Sequence, residues 1–241
     1  MSVSPSKAEE IIATLRTEIL QGQYRPGERL PSERDLSARF QSNRGAIREA
    51  IKNLEQLGIV SVAPGGVRVV PVEEATLDVL GHLLDLGEIQ RPELIGQIID
   101  VLGAVTALSA RSAIEVADNS QIAELEHLAD KLIQSVGKAE EHHQYWMQLS
   151  QTLMSLHQNL VLRLINNGLR TQFLSNIMNL GFKPDIDHQA VRDALGQLRR
   201  AIIDQDANKV SDAIIQHFYI IKTGLLKPKP SNESTRRASN G

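Results

Sequence analysis

The pattern of apolar and polar residues predicts an amphipathic helix near the beginning of the chain. Residues 7–21 carry apolar side chains at spacings of three and four positions, which form one stripe on a helix. The stripe consists of Ile11, Ile12, Leu15, Ile19 and Leu20. Gly22 and the Pro26-Gly27 pair end this helix and mark a turn.

Two further helices follow in close succession. Ser32 is a good N-cap for a short second helix ending near Phe40, and Asp35 stands where the partner of a capping box belongs. A third helix is predicted over residues 43–57, with Gly58 as its terminator. Its apolar positions fall on one face and are Ile47, Ala50, Ile51, Leu54 and Leu57.

The third helix carries basic residues on the face opposite its apolar stripe. Arg44, Arg48 and Lys52 follow one another at four-residue intervals, so they share that face. A short helix, a three-residue turn and a helix with arginines in its first turns have the proportions of a helix-turn-helix. Two β-branched runs, 59–62 and 67–70, flank a turn at 63–66 and predict a hairpin, the wing.

Beyond the hairpin the pattern is helical almost throughout. Helices are predicted over 76–87, 92–117, 119–137, 139–157, 159–180, 187–204 and 206–223. The fold class is therefore mainly α: an N-terminal winged helix-turn-helix and a C-terminal all-α helical bundle. The predicted boundaries are 1–72 for the first domain, 73–76 for a linker, 77–226 for the bundle and 227–241 for a tail rich in Lys, Pro and Ser.

Composition narrows the class of protein. The chain has 241 residues, 41% of them hydrophobic, and no cysteine, which excludes disulfides and thiolate zinc sites. No stretch approaches the roughly 18 apolar residues of a membrane span, and the first residues lack a signal-peptide core. We therefore expect a cytoplasmic protein with no membrane partner.

Charge is distributed unevenly along the chain. Residues 1–72 hold ten Lys or Arg and eight Asp or Glu, a balance of +2, whereas the whole chain carries −3. A weakly basic head on an acidic body is the distribution of a DNA-binding domain joined to a domain with another task.

The head offers the side chains that DNA recognition needs. Arginine can place two N–H donors on guanine or pair with phosphate, and the major groove admits one α-helix. Arg44 and Arg48 lie near the N-terminal end of the third helix, Arg34 lies at the start of the second, and Gly65 at the hairpin tip allows close approach to a minor groove. Two alternatives remain: a solvated face paired with Glu33 and Glu49, or a winged helix that docks a protein.

Residues 8–72 resemble the GntR family of bacterial regulators. The resemblance lies in the segments Pro26-Gly-Glu-Arg-Leu-Pro-Ser-Glu-Arg-Asp-Leu36 and Asn43-Arg-Gly-Ala-Ile-Arg-Glu-Ala50. It implies a homodimer that binds a palindromic operator in double-stranded DNA through Arg34, Asn43, Arg44 and Arg48. The family's usual Gly-x-Gly-Thr wing is replaced by Gly65-Gly-Val-Arg68, which keeps a contact at Gly65 and makes Arg68 an additional phosphate ligand.

The helical body is similar to the effector domain of the FadR subfamily. Many members of that subfamily bind a divalent metal through Asp-x-x-x-His on one helix and two later histidines. The matching positions here are Trp146, Ser150, Leu195 and His217, of which only one is a metal ligand in such sites. We therefore expect no metal and no cofactor.

One branch of that subfamily controls fatty-acid metabolism, has no metal site and binds a long-chain acyl-CoA. The resemblance to this branch covers residues 91–95, 164–169 and the last helix, although Leu102 replaces an expected arginine. It implies an acyl-CoA effector, and Ser150, His217 and Tyr219 are candidates for lining its cavity. They can equally be satisfied core or interface residues, and another small organic acid is the alternative effector.

Enzymatic activity is the competing hypothesis. It needs a nucleophile with a base, paired carboxylates or a metal. The cluster Glu140-Glu-His-His143 begins a helix and is more typical of a solvated first turn. The sequence contains no glycine-rich phosphate loop and no nucleophile elbow, so we expect that the protein is not an enzyme.

Overall fold

The chain divides into two compact units, Met1–Ile89 and Gln90–Gly241. The structure, a computed structural model, describes residues 5–86, 92–179 and 185–227, without the side chains of 92 and 170–179. The predicted tail beyond residue 227 lies outside the described residues.

The first unit is a winged helix-turn-helix, as the sequence predicts. Its helices are α1 (Lys7–Leu20), α2 (Glu33–Arg39), α3 (Arg44–Gln56) and α4 (Val79–Asp85). Strands β1 (Val60–Ala63) and β2 (Gly66–Val69) pair antiparallel with Val60 opposite Val69, and a 3₁₀ turn (Val72–Glu74) follows. The predicted order of elements is confirmed, and their ends shift by at most three residues.

The N-cap of α2 forms, but its capping box is incomplete. The Ser32 hydroxyl accepts a hydrogen bond from the Asp35 backbone N–H at 3.2 Å and donates to the Asp35 carboxylate at 2.6 Å. Aspartate is one methylene shorter than glutamate, and its carboxylate bonds the hydroxyl instead of the cap backbone. At α1 a glutamate is present and the reciprocal box closes, with Glu9 accepting from the Ser6 backbone.

The core of the first unit is formed by the apolar stripes of α1 and α3 with the side chains of α2 and β1. The fully buried members are Ile11, Leu15, Leu36, Ile47, Leu54 and Ile59. Burying each such side chain contributes roughly 1.5–3 kcal/mol, so the inner face of α3 is firmly fixed. Its opposite face is consequently held in solvent.

Helix α4 belongs to the first unit, whereas the sequence analysis assigned residues from 77 onward to the second domain. Val79 is buried in the core of the first unit, and the Arg16 Nη1 atom of α1 lies 3.3 Å from His82 Nε2. A helix of seven residues is not stable in isolation and depends on packing against a neighbour. Burial and the adjacent Arg16 charge lower the pKa of His82, which favours the neutral ring that accepts this hydrogen bond.

The second unit is all-helical in its described part. Its helices are α5 (Pro92–Ile114), α6 (Asn119–Gln134), α7 (Ala139–Leu156), α8 (Leu160–Asn179), α9 (His188–Ile203) and α10 (Ala207–Leu226). Asp118, Asp187 and Asp206 cap α6, α9 and α10 by accepting backbone N–H groups. Arg199 of α9 ties α6 through Glu126 at 2.5 Å and Asp130 at 2.7 Å.

Helix α5 is more apolar than the sequence analysis expected. Its segment Glu93–Ile114 has a mean hydropathy of 1.4, enough by length and composition to cross a membrane. The segment is rich in small residues that allow close packing on α10; a Cβ added at Gly103 would lie 2.9 Å from the Phe218 Cβ. Ala107, Ala110 and Ala113 are buried in the core, as in the central helix of a globular domain.

Gly58 provides a test of how the end of α3 is packed. Its φ is +74°, and an added Cβ would lie 3.0 Å from the Ala75 Cα and 3.1 Å from the Thr76 nitrogen, both backbone atoms. Gly22 has nearly the same φ, +76°, with no atom within 4 Å of an added Cβ. We expect Gly22→Ala to cost about 1–2 kcal/mol, the left-handed penalty alone, and Gly58→Ala to cost clearly more.

Denaturant-dependent hydrogen exchange in peptides from α3 and β1 measures how much each variant lowers the free energy of unfolding of the first unit. Equal losses in the two variants would contradict the close approach of residues 75–76 to Gly58.

Candidate DNA-binding surface and effector pocket

Three arginines lie on the exposed side of the helix-turn-helix. The side chains of Arg34 and Arg48 are 84% and 68% exposed, and Arg44, the first residue of α3, is exposed as well. Arg34 is the second residue of α2, and Arg48 reaches α2 by bonding its first residue, Glu33. The start of α2 and the first two turns of α3 therefore form one arginine-rich surface.

Arg48 and Glu33 form the ion pair that the sequence analysis gave as an alternative. The Arg48 Nε lies 3.0 Å from both carboxylate oxygens of Glu33. Glu49 forms no ion pair within the described part of the chain, and Arg34 approaches Asp35 only at 3.7 Å. Local pairing is therefore close for Arg48 and loose for Arg34, and Arg44 forms no ion pair among the described residues.

Asn43 caps the helix that carries the arginines. Its Oδ1 accepts a hydrogen bond from the Ala46 backbone N–H at 2.9 Å. Gly45 fits beside this cap, because a Cβ there would lie 3.1 Å from the Asn43 Oδ1. Asn43, a predicted DNA-binding residue, fixes the position at which α3 begins.

The wing ends in the two-residue loop Pro64-Gly65. An added Cβ at Gly65 meets no atom within 4 Å, so the tip is open. Arg68 lies further back on β2 and donates from Nη1 to the Gly27 carbonyl at 2.9 Å. Arg68, expected as a phosphate ligand, therefore also anchors the wing to the turn after α1.

A cavity of about 270 Å³ lies in the second unit between α5, α7, α8 and α10. Its walls are mainly apolar and come from Leu102, Trp146, Met147, Met154 and Phe218. Polar groups are supplied by Ser150 and, among others, by His143, Arg163 and Asn166. Apolar walls with a few polar groups are typical of small-molecule sites.

His217 lies behind the cavity wall instead of lining it. Its ring stacks on Trp146 with 4.4 Å between centroids, and Phe218 contacts the same indole edge-on at 5.4 Å. Burial, and secondarily the nearby His142, lowers the pKa of His217 to about 3. The ring is consequently neutral at physiological pH, and it supports the orientation of Trp146.

Tyr219 lies outside the pocket, which corrects the sequence expectation. Its side chain is 59% exposed. Residues two positions apart on an α-helix point about 200° apart, so Tyr219 faces outward because His217 faces inward. Of the three expected lining residues, Ser150 alone lines the cavity.

The histidine pair at the beginning of α7 is not a solvated first turn, contrary to expectation. The His142 Nδ1 lies 3.1 Å from the Ser135 hydroxyl and 3.3 Å from the Leu132 carbonyl, and burial lowers its pKa. His143 lines the cavity. Sequence reasoning also missed Arg163, whose signal was a lone cation in the apolar run 160–165.

The residues at the four positions that match the metal ligands of the FadR subfamily do not fit a metal ion. Trp146 places an indole face against His217, and Leu195 is fully buried in the apolar core. A single imidazole with one hydroxyl, Ser150, is not a donor set for Zn²⁺ or a similar ion. In the described residues, no group of three or more His, Asp or Glu side chains could hold one.

Two family profiles match the chain. Residues 7–70 match bacterial regulatory proteins of the gntR family, and residues 97–219 match the FCD domain. The first match coincides with the winged helix-turn-helix. The second covers just over half of the chain and contains the cavity.

Curated relatives are regulators as well. The HTH-type transcriptional regulator Mce2R of Mycobacterium tuberculosis is 42% identical over 81 residues, a third of this chain and 34% of that protein. The chain thus matches only about a third of the length of this relative. A fatty acid metabolism regulator protein of Shewanella pealeana is 26% identical over 86% of this chain and 85% of its own. The Uxu operon regulator of Haemophilus influenzae is 27% identical over 88% and 79%.

A solved structure shares the fold. The protein Lar, described as controlling expression of the Listeria monocytogenes agr system, superposes with a TM-score of 0.54 at 14% identity, over 95% of this chain and all of that one. The two family profiles show the family: this chain belongs to the bacterial regulatory proteins of the gntR family and carries an FCD domain.

Proposed function

We propose that the protein binds a palindromic operator as a homodimer and that a long-chain acyl-CoA in the cavity of the second unit releases it. The genes concerned would be those of fatty-acid metabolism, and the protein would act in the cytoplasm. The observation that carries the effector assignment is the mainly apolar cavity with a cationic and amide group on its α8 side.

The DNA contact is assigned to the exposed arginines. Arg44 and Arg48 lie one turn apart at the N-terminal end of α3, the end that helix-turn-helix proteins direct at base edges. Arg34 lies at the start of α2, within reach of the backbone beside the groove. Asn43 and the wing residues Gly65 and Arg68 complete the proposed interface.

Homodimer formation follows from what one helix-turn-helix can read. A single unit covers a half-site, and a two-fold axis in the protein matches a palindrome. The second unit has exposed apolar side chains that support self-association: Val101 and Leu108, seven residues apart on one face of α5, are 48% and 49% exposed. Leu160 and Leu164 on α8 are 63% and 60% exposed.

The acyl-CoA assignment rests on chemistry and on one relative. Leu102, Met147 and Met154 offer an apolar surface to an acyl chain, and the exposed Arg163 can pair with phosphate or a carboxylate. The relative named as a fatty acid metabolism regulator aligns over 85% of its length.

A small organic acid is the alternative effector. The Uxu operon regulator aligns over a similar length at a similar identity. His143, Arg163 and Asn166 could together hold a hydroxylated acid, with the apolar walls left partly unfilled.

The first prediction concerns the arginines of α3. Arg44→Ala and Arg48→Ala should each weaken binding to the preferred duplex about 10- to 100-fold, because each removes a charge-assisted contact with a base or a phosphate that contributes about 1–3 kcal/mol. Arg111→Ala, an exposed arginine of α5 paired with Glu115, is the matched control and should bind as wild type does. Fluorescence anisotropy with labelled duplex measures all three.

Salt dependence completes this test. Wild-type affinity should fall steeply as salt rises, because phosphate contacts release counterions. Affinity independent of salt, or wild-type affinity in both variants, would contradict the assignment of α3.

The second prediction concerns the cavity. Trp146 is the chain's single tryptophan and lines the cavity, so its fluorescence reports occupancy. We expect palmitoyl-CoA to change this emission saturably, to raise the melting temperature and to dissociate the protein–DNA complex. A sugar acid with Zn²⁺ should do none of these.

Arg163→Ala should weaken palmitoyl-CoA binding about tenfold through loss of an anion contact, whereas Arg192→Ala, also exposed but on α9, should not. Release of DNA by the sugar acid and not by palmitoyl-CoA would favour the alternative effector.

A further inference from the structure

Glu33 is a carboxylate on the surface proposed to face DNA, where a negative charge opposes binding. Its two carboxylate oxygens share the single N–H of the Arg48 Nε, each at 3.0 Å. We propose that Glu33 is a positioning residue that presents Arg48 to a base and thereby determines sequence specificity. This inference rests on the proposed contact of α3 with DNA.

The Arg48 nitrogen that bonds Glu33 determines which nitrogens of Arg48 remain available for a base. A guanidinium has one N–H at Nε and four on its two terminal nitrogens. Glu33 bonds Arg48 at Nε, and among the described residues neither terminal nitrogen of Arg48 forms a hydrogen bond with Glu33. A fork onto guanine O6 and N7 can be formed by these two nitrogens, so the ion pair leaves the base-reading end available.

Glu33 is itself held on a fixed scaffold. It is the first residue of α2, directly after the N-cap Ser32. Leu36 of α2 and Ile47 of α3 are both fully buried in the same core, which fixes the two helices relative to each other. A carboxylate placed in this way restricts the rotamers of a long side chain that is otherwise 68% exposed.

The other two arginines have no comparable support. Arg34 lies 3.7 Å from the Asp35 carboxylate and is 84% exposed. Arg44 forms no ion pair within the residues that the structure describes. Mobile guanidiniums suit phosphate contacts, which position a protein without reading sequence, whereas a restrained one suits base readout.

Charge alone predicts the opposite outcome, and this makes the inference testable. If Glu33 acted only through its charge, its removal would strengthen binding to every duplex, most at low salt. If Glu33 positions Arg48, its removal lowers affinity for the preferred sequence relative to a scrambled one.

The experiment uses the full-length protein and two duplexes, the one that wild type enriches from a random library and a scrambled version of it. The measured quantity is the ratio of their dissociation constants. We expect Glu33→Ala to reduce this ratio about tenfold, with affinity for the scrambled duplex equal or higher. Glu33→Gln, which keeps an acceptor oxygen without the charge, should recover part of the ratio.

Two controls separate the positioning of Arg48 from the mere loss of a negative charge on this surface. Glu49→Ala removes the same charge one position from Arg48 and should leave the ratio within twofold of wild type. In an Arg48→Ala background, Glu33→Ala should have no further effect on the ratio. Circular dichroism and melting temperature verify that each variant is folded.

The inference is wrong if Glu33→Ala leaves the ratio of dissociation constants unchanged. It is also wrong if Glu33→Ala and Glu33→Gln raise the affinity for both duplexes equally. Either result leaves the proposed function standing. Failure of the wild type to enrich any sequence overturns the proposed function, and the inference with it.

Discussion

Burial of the inner face of α3 is the constraint on which the DNA-binding surface depends. Ile47 and Leu54 are fully excluded from solvent, and helical geometry then forces Arg44 and Arg48 outward. The cap at Asn43 fixes where α3 begins, and the backbone around Gly58 fixes where it ends. The arginines are therefore positioned by the apolar core beneath them, and the ion pair with Glu33 refines one of them.

The second unit encloses a cavity within its helical core. Small residues let α5 approach α10 closely, while Trp146, supported by a neutral His217, forms part of the cavity wall. The residues at the expected metal-ligand positions form no metal donor set, because Trp146 stacks its indole on the His217 ring and Leu195 is buried in the apolar core.

The sequence predicted each α-helix of the described residues and the hairpin, because the spacing of Leu, Ile and Val sets both local structure and burial. It assigned α4 to the wrong domain, because the apolar pattern of a seven-residue helix does not show which domain the helix packs against. Tyr219 was expected in the pocket and lies outside, because the direction of each α10 residue depends on the rotation of that helix. Arg163 and His143 line one cavity from separate helices, and the sequence pattern does not show that they share it. The sequence left the pairing with Glu33 open as one alternative, and the structure shows that pair for Arg48.

The proposed function requires that α3 reads DNA as half of a symmetric pair. Sequencing the duplexes that full-length protein enriches from a random library tests this most directly. We expect an inverted repeat whose half-site centres are one helical turn, or a multiple of it, apart. Absence of enrichment, or a single asymmetric motif bound by one protein chain, would contradict it.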